Sequence, residues 1–350
     1  MNSRSFKTIE WRDNALYLID QRALPESERY IECTDLSSVI EAIKLMVVRG
    51  APAIGITAAY GVVLSVKHHH RQDQNTWYRM VQPDLDRLAQ ARPTAVNLAW
   101  AVTKMRDGLK GLRSVSNPVA ESLQLANQML AQDIEDNRTM GKLACDVMVQ
   151  SNSNVFSVLT HCNAGALATG GYGTALGAIR SAWQRGLIDR VYADETRPWL
   201  QGARLTAWEL QKSGIPVTLN VDGASAWLMT EKNIAWVIVG ADRITANGDV
   251  ANKIGTYSLA IVARYHQVKV MVVAPSSTVD MALPNGQAID IEMRSEQELT
   301  HLGEKLIAPD KITAINPVFD VTPAQLIDVI VTEKGVVKKP CAESMRLLFC

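Results

Sequence analysis

The fold class predicted for this chain is α/β: a Rossmann-like parallel sheet in the C-terminal part, preceded by a smaller, mainly helical N-terminal domain. Three observations predict it. The chain has 350 residues, more than one hydrophobic core usually holds, so about two domains are expected. Up to about residue 150, apolar residues recur mostly at helical spacing. Beyond residues 151–154, short β-branched runs alternate with helical stretches, the pattern of parallel βαβ units covered on both faces. The boundary is placed between a domain of residues 1–140 and one of residues 141–350.

Leu36, Val39, Ile40, Ile43, Met46 and Val47 form a one-face helical period. Ser38 and Glu41 have capping-box spacing near its start, and Gly50 is the expected terminator. Pro52 suits the first turn of a second apolar helix over 53–64. A third, initiated by Pro, is expected from Arg92-Pro93-Thr94 through Trp100 and Met105. A fourth covers about 121–149, interrupted or bent near Gly141. Strands are then expected at 155–160, 191–194, 217–221, 236–239 and 268–273. Helical patterns lie between them at 174–185, 201–212, 224–229 and 255–265. No internal repeat or low-complexity linker is visible.

Composition removes several function classes. Apolar residues make up 47% and charged residues 21%, which excludes an intrinsically disordered chain. Lys plus Arg and Asp plus Glu are both 36, and the zero net charge carries no basic excess for gripping nucleic acid. Cys33, Cys145, Cys162, Cys341 and Cys350 lie far apart without a Cys-x-x-Cys pair, against both a structural zinc site and a disulfide framework. The first ten residues carry no apolar h-region, and no apolar run approaches the length of a membrane span. A soluble protein of the reducing cytoplasm is expected, with neither membrane nor nucleic acid as partner.

Open parallel sheets place ligands at the carboxyl ends of their strands. The residues following the expected strands read Thr160-His161-Cys162-Asn163-Ala164-Gly165, Asp194-Glu195-Thr196-Arg197-Pro198, Asp222-Gly223 and Gly240-Ala241-Asp242-Arg243. A thiol, several carboxylates and small residues thus converge on one rim.

Seven segments occur in a telling order: Arg49-Gly50-Ala51-Pro52-Ala53-Ile54-Gly55, Arg92-Pro93-Thr94-Ala95-Val96-Asn97-Leu98, Thr160-His161-Cys162-Asn163, Glu195-Thr196-Arg197-Pro198, Gln201-Gly202-Ala203-Arg204-Leu205-Thr206, Gly240-Ala241-Asp242-Arg243 and Asn252-Lys253-Ile254-Gly255-Thr256. Together they resemble the methylthioribose-1-phosphate isomerase family of methionine salvage, over about residues 11–335. The same superfamily contains the regulatory alpha, beta and delta subunits of initiation factor 2B. It also contains isomerases of ribose 1,5-bisphosphate and 5-deoxyribose 1-phosphate. The resemblance implies catalytic roles for Cys162 and Asp242, and substrate binding by Arg49, Gly50, Ala51, Arg92, Gln201, Asn252 and Lys253. It implies a homodimer, a sugar phosphate substrate, and no metal or other cofactor. One departure is visible: Met293 stands where family members often carry a second acidic residue.

The implied substrate is a furanose whose anomeric carbon is blocked by phosphate, so the ring must open with the phosphate attached. A hydrogen then moves from C2 to C1, through an enediolate-like species or as a hydride. An acid or base is needed near the ring oxygen and the C2 hydroxyl. Asp242 suits that task if burial raises its pKa; otherwise an Asp after a strand caps the next turn. Cys162 sits beyond a strand end before a Gly-rich turn, unlike a small core thiol. Its neighbour His161 should point the opposite way, which disfavours a Cys–His pair. Arg49, Arg92 and Lys253 flank expected helix starts, where unpaired N–H groups favour anions.

Three rival readings remain. Gly171-x-Gly173-x-x-x-Gly177 with Asp194 beyond imitates a dinucleotide fingerprint, but its first glycine lies too far from the preceding strand. A non-catalytic regulatory subunit would share the scaffold without needing the Cys162–Asp242 set. His68-His69-His70 suggests a metal tract by composition, although an exposed helix end accounts for it. The scattered tryptophans, among them Trp77, Trp100, Trp208, Trp227 and Trp236, read as core or interface anchors.

Overall fold

The computed structural model describes residues 6–92, 96–151 and 154–350. The chain divides into two compact units. One runs up to Arg138 and takes in Ala164–Gly173; the other comprises Thr139–Asn163 and Thr174–Cys350.

The first unit opens with an antiparallel sheet that the helical periodicity did not foresee: β1 (Ile9–Arg12), β2 (Ala15–Ile19) and β3 (Tyr30–Cys33). Arg12 pairs with Ala15, so Asp13 and Asn14 form a two-residue hairpin loop, both with positive φ (51° and 59°). Those are the residue types that tolerate such angles best after glycine. Helix α1 (Leu36–Lys44) is capped by Asp35, whose carboxylate accepts from Ser38 N–H at 2.8 Å. The capping box is therefore Asp35 with Ser38 rather than Ser38 with Glu41. Gly50, expected as a terminator, instead opens α2 (Ala51–Gln72) at φ 90°, with Pro52 in the first turn.

Helix α2 is buried without a break from Ala53 to Val66 and is wrapped by its neighbours. Helix α3 (Trp77–Ala89) buries Trp77, Val81, Leu85 and Leu88, one stripe at helical spacing. Helix α4 spans Val96–Lys110, and its expected start at Pro93 lies outside the described residues. Helix α5 (Pro118–Ser151) runs unbroken through Gly141, where an interruption was expected. Ala164–Gly173 is fastened to this unit by Thr8 Oγ1 on Ala166 O (2.6 Å), Gln21 Nε2 on Leu167 O (2.7 Å) and Gly170 N–H on Asp133 (2.7 Å). Gly171 and Gly173 of the apparent dinucleotide fingerprint belong to that fastened segment, whereas Gly177 lies in the helix that follows it, in the second unit.

The second unit is the expected α/β domain. Its elements begin β4 (Phe156–Thr160), α6 (Ala175–Gln184), β5 (Ile188–Asp194), α7 (Ala207–Lys212), β6 (Val217–Asn220), α8 (Ser225–Glu231) and β7 (Ile234–Val239). They continue β8 (Arg243–Thr245), β9 (Val250–Lys253), α9 (Thr256–Tyr265), β10 (Lys269–Val273), β11 (Val279–Asp280), α10 (Gln297–Thr300), β12 (His301–Leu302) and β13 (Lys305–Leu306). The last are β14 (Phe319–Thr322), β15 (Val329–Thr332), β16 (Gly335–Lys338) and α11 (Ala342–Phe349).

The main sheet has the order β16-β15-β10-β7-β4-β5-β6, parallel except for the β15–β16 pair. Its inner strands β4, β7 and β10 are mostly apolar and almost entirely buried, as burial on both faces requires. From β4 the chain builds outward through β5 and β6, then returns to β7 on the other side. The topological switch point therefore lies between β4 and β7, where open parallel sheets hold ligands. A second sheet, β11-β8-β9-β14, was not foreseen; its strands are two to four residues long. Among the described residues no helix is long and apolar enough to cross a membrane.

Candidate active site

Cys162 follows β4 by two residues and Asp242 follows β7 by three, so both leave the sheet at its switch point. Thr160 Oγ1 donates to Ile238 O (2.7 Å) and ties the two strand ends together. Cys162 is half-buried and lies in the left-handed region at φ 60°. Two threonines hold it there. Its N–H donates to Thr196 Oγ1 (2.8 Å), and its C=O accepts from Thr206 Oγ1 (2.5 Å).

Thr196 is itself at φ 64°, a conformation a β-branched residue avoids unless its surroundings impose it. Asp222, after β6, imposes it: its two carboxylate oxygens accept Thr196 N–H and Arg197 N–H at 2.7 Å each. Three successive strand ends are thus stitched together around the thiol. Arg197 extends the stitching by donating to Glu298 O and Leu299 O (3.2 Å each), on the excursion that carries α10. Burial, then the nearby Asp222 charge, push the Glu195 carboxyl above the usual range.

Gln201 precedes a π-helical turn, Gly202–Thr206, that leads into α7. Such turns recur at functional sites because they re-aim side chains. A Cβ on Gly202 would stand 1.6 Å from Asp194 O, so only glycine lets this turn approach β5. Gln201 is buried, and its Oε1 has no hydrogen-bond partner among the described residues. An orphaned acceptor of that kind costs about 1–3 kcal/mol and is relieved by any donor that reaches it.

Asp242 lies just before β8, its N–H donating to Ala251 O (2.9 Å) and its side chain half-buried. That places it beside Asn252 on β9, which is paired in turn with Asp320 on β14. Asn252 is buried and donates to Thr256 Oγ1 (3.1 Å). Asp320 accepts Gly255 N–H (2.8 Å) and Tyr257 N–H (3.1 Å), fixing the start of α9. Lys253 flanks the start of α9, as expected, and is buried. Its ammonium donates to Val318 O (3.0 Å) and lies 5.0 Å from the centroid of the Phe319 ring.

The first unit carries the other candidate residues. Arg49 is buried directly before the N-cap of α2, and Gly50 and Ala51 form that helix start. A Cβ on Gly50 would meet the Ala168 backbone at 2.6 Å. Arg92 is half-buried ahead of residues 93–95, which lie outside the described residues.

His161 does not pair with Cys162. Its Nδ1 faces Asp194 (2.9 Å) and its Nε2 faces Ile254 O (2.9 Å). His161, Asp194 and Asp222 offer ligand atoms within 4.8 Å of one another. They do not suit a cation, because both imidazole nitrogens point at acceptors and the Asp222 oxygens already hold backbone N–H groups. The Asp194 carboxylate also accepts Asn220 Nδ2 (2.7 Å), so it is occupied rather than poised for a ribose. The histidine tract packs against a neighbour more than the expected exposed helix end allows: His69 pairs with Asp84 (3.1 Å), and His70 meets Trp77 edge-on. Met293 is exposed, its backbone bridged to Pro317.

A parallel sheet whose switch point carries a thiol and a carboxylate on adjacent strand ends defines an α/β protein that acts on a small ligand. Residues 47–339 match the Initiation factor 2 subunit family, and the chain belongs to that family. It is 56% identical over 344 residues to methylthioribose-1-phosphate isomerase of Pseudomonas fluorescens, covering 98% of this chain and 96% of that protein. The crystal structure of 5-methylthioribose 1-phosphate isomerase from Pyrococcus horikoshii superposes with a TM-score of 0.92 at 38% identity, over 100% of this chain and 99% of that one. A structure described as translation initiation factor eIF-2B, subunit delta, from A. fulgidus gives 0.87 at 38% identity, over 98% and 100%.

Proposed function

We propose that the protein is an aldose–ketose isomerase converting 5-methylthioribose 1-phosphate to 5-methylthioribulose 1-phosphate in methionine salvage. The observation that carries the reading is the adjacency of β4 and β7, from whose carboxyl ends Cys162 and Asp242 emerge. The name carried by relatives at 56% identity supplies the substrate. Asp242 serves as the acid–base group at the ring oxygen and C2 hydroxyl, and Cys162 transfers a proton or stabilises developing charge. The hydrogen passes from C2 to C1 as a proton through an enediolate or as a hydride, and neither route needs a metal or nucleotide.

Arg49, Gly50, Ala51, Arg92, Gln201, Asn252 and Lys253 bind the substrate in this reading. The helix start at Gly50–Ala51 and the guanidinium of Arg49 suit a phosphate. The orphaned Gln201 Oε1 suits a sugar hydroxyl. The protein is further proposed to be a cytoplasmic homodimer. Edge strand β6 and helix α8 support that assembly, since Leu219, Val221 and Trp227 are all exposed there.

The deciding experiment is turnover of purified protein with 5-methylthioribose 1-phosphate beside ribose 1-phosphate, 5-deoxyribose 1-phosphate and ribose 1,5-bisphosphate, with and without exhaustive chelation. Preference for another sugar overturns the substrate assignment. Activity lost to chelation and restored by one divalent metal overturns the metal-free chemistry. No turnover of any of the four favours a regulatory subunit on the same scaffold.

A further inference from the structure

His161 has no part in the chemistry just proposed, yet both of its polar atoms are engaged in the interior. The ring is 3% exposed, on the segment that leaves β4, one residue before Cys162. Ile254 O has lone pairs but no proton, so the Nε2 facing it at 2.9 Å must carry a hydrogen. The Nδ1 faces Asp194 Oδ2 at 2.9 Å, and Asp194 is buried with Asn220 Nδ2 on its other oxygen. The shared proton belongs on the imidazole, intrinsically the stronger base by about two to three pKa units. The ring is then an imidazolium.

Three carboxylates from different elements face this cation: Asp194 at the end of β5, Asp222 beyond β6, and Asp320 on β14. Two of them anchor loop backbone, Asp222 at Thr196 and Arg197 and Asp320 at Gly255 and Tyr257. The turn into α9 is shaped to admit the ring. Gly255 sits at φ 101°, and a Cβ there would stand 3.0 Å from His161 Cε1.

We propose that His161 is a positioning residue for the isomerisation: a buried imidazolium that ties the strand end bearing Cys162 to the Ile254 carbonyl and so fixes Cys162 relative to Asn252 and Lys253. The proposal rests on the assignment of Cys162 made above. The ring acts through backbone and touches no reacting atom. Its linkage is to a segment 93 residues away in sequence. Burial pushes its pKa down, but the hydrogen bond and charge of Asp194 outweigh this and raise it. The cation is therefore held to higher pH than on a free imidazole and is lost as pH rises through the raised value.

The test combines a spectrum with kinetics. Protein labelled with 15N-histidine should show two ring N–H signals for His161 at pH 7.5, assigned by their loss in His161→Gln. His161→Gln should lose about 10²-fold in kcat with KM little changed, the signature of misplaced reacting groups rather than weakened binding. Asp194→Asn should move the alkaline fall in kcat to lower pH, a displacement that a purely structural histidine would not produce. A single ring proton in the wild-type spectrum overturns the proposal even if no variant folds. So does normal kcat in His161→Gln, or an unmoved alkaline limb in Asp194→Asn. Cys162→Ser assayed in parallel separates the two ideas, because its retained turnover would remove Cys162 from the chemistry without altering the ring's protonation.

Discussion

At the scale of single residues, the arrangement separates groups that act in the transition state from groups that hold the substrate. Cys162→Ser and Asp242→Asn should each lower kcat by about 10²–10⁴-fold while substrate affinity largely survives, because an interaction made mainly in the transition state appears in the chemical rate. Lys253→Ala should instead weaken substrate binding first, since it removes a charge proposed for the anion site. Calorimetric titration of each variant beside its initial rate checks this; near-normal turnover in Asp242→Asn would refute its assigned role. Gly202→Ala has no room for its methyl group against Asp194 O. It should cost about 1–3 kcal/mol or more in denaturant unfolding, and should cost activity as well, because Gly202 abuts Gln201. Thiol reactivity should be graded too. Burial pushes Cys33 and Cys145 up to about 11, so both should resist alkylation under native conditions while the exposed Cys341 and Cys350 react.

At the scale of elements, caps and strand ends carry most of the information. Asp35→Ala removes the cap of α1 and should cost about 1 kcal/mol in a urea midpoint without touching turnover. Five of the seven strands of the α/β sheet, β4, β5, β6, β7 and β10, were legible because each carries a short β-branched or apolar run between helical stretches, whereas β15 and β16 were not foreseen. The N-terminal sheet was not: Ala15–Ile19 is almost uniformly apolar, a run that fits a buried helix as well as a strand, and Asp13-Asn14 is a weaker hairpin signal than a glycine-containing pair. Helix α3 escaped because its moderately polar sequence contains Pro83. The short strands of the second sheet carry too few residues for any period to register. At the site, Cys162, Asp242 and Gln201 could be placed at strand and helix ends from sequence. Their supports could not. Thr196 and Thr206 reach the Cys162 backbone from 34 and 44 residues away, and only tertiary structure reveals such contacts.

At the scale of the whole molecule, stability should fall at both ends of the pH range. Burial pushes the Asp20 carboxyl up, but hydrogen bonds from Arg22 and Arg29 overcome it and hold the pKa below the usual value. That contribution is present above the unfolded pKa of about 3.9 and is lost as pH falls through the lowered folded value. The raised pKa of His161 works in the opposite sense, stabilising fully below about 6.5 and fading as pH climbs through its folded value. Thermal melts across pH should therefore show a plateau with two shoulders, and Asp194→Asn should erode the alkaline one. Sedimentation at micromolar concentration should give twice the chain mass, and Trp227→Asp should shift the boundary towards monomer. The chain passes from one compact unit to the other after Arg138, Asn163 and Gly173. No single scission can release both units whole: wherever the chain is cut once, one fragment keeps a borrowed piece of the other. Genes assembled by joining ready-made modules end to end leave a single seam. Among the described residues this chain has three, and the thiol at 162 sits one residue before the second of them, so it is no simple end-to-end joining of two modules.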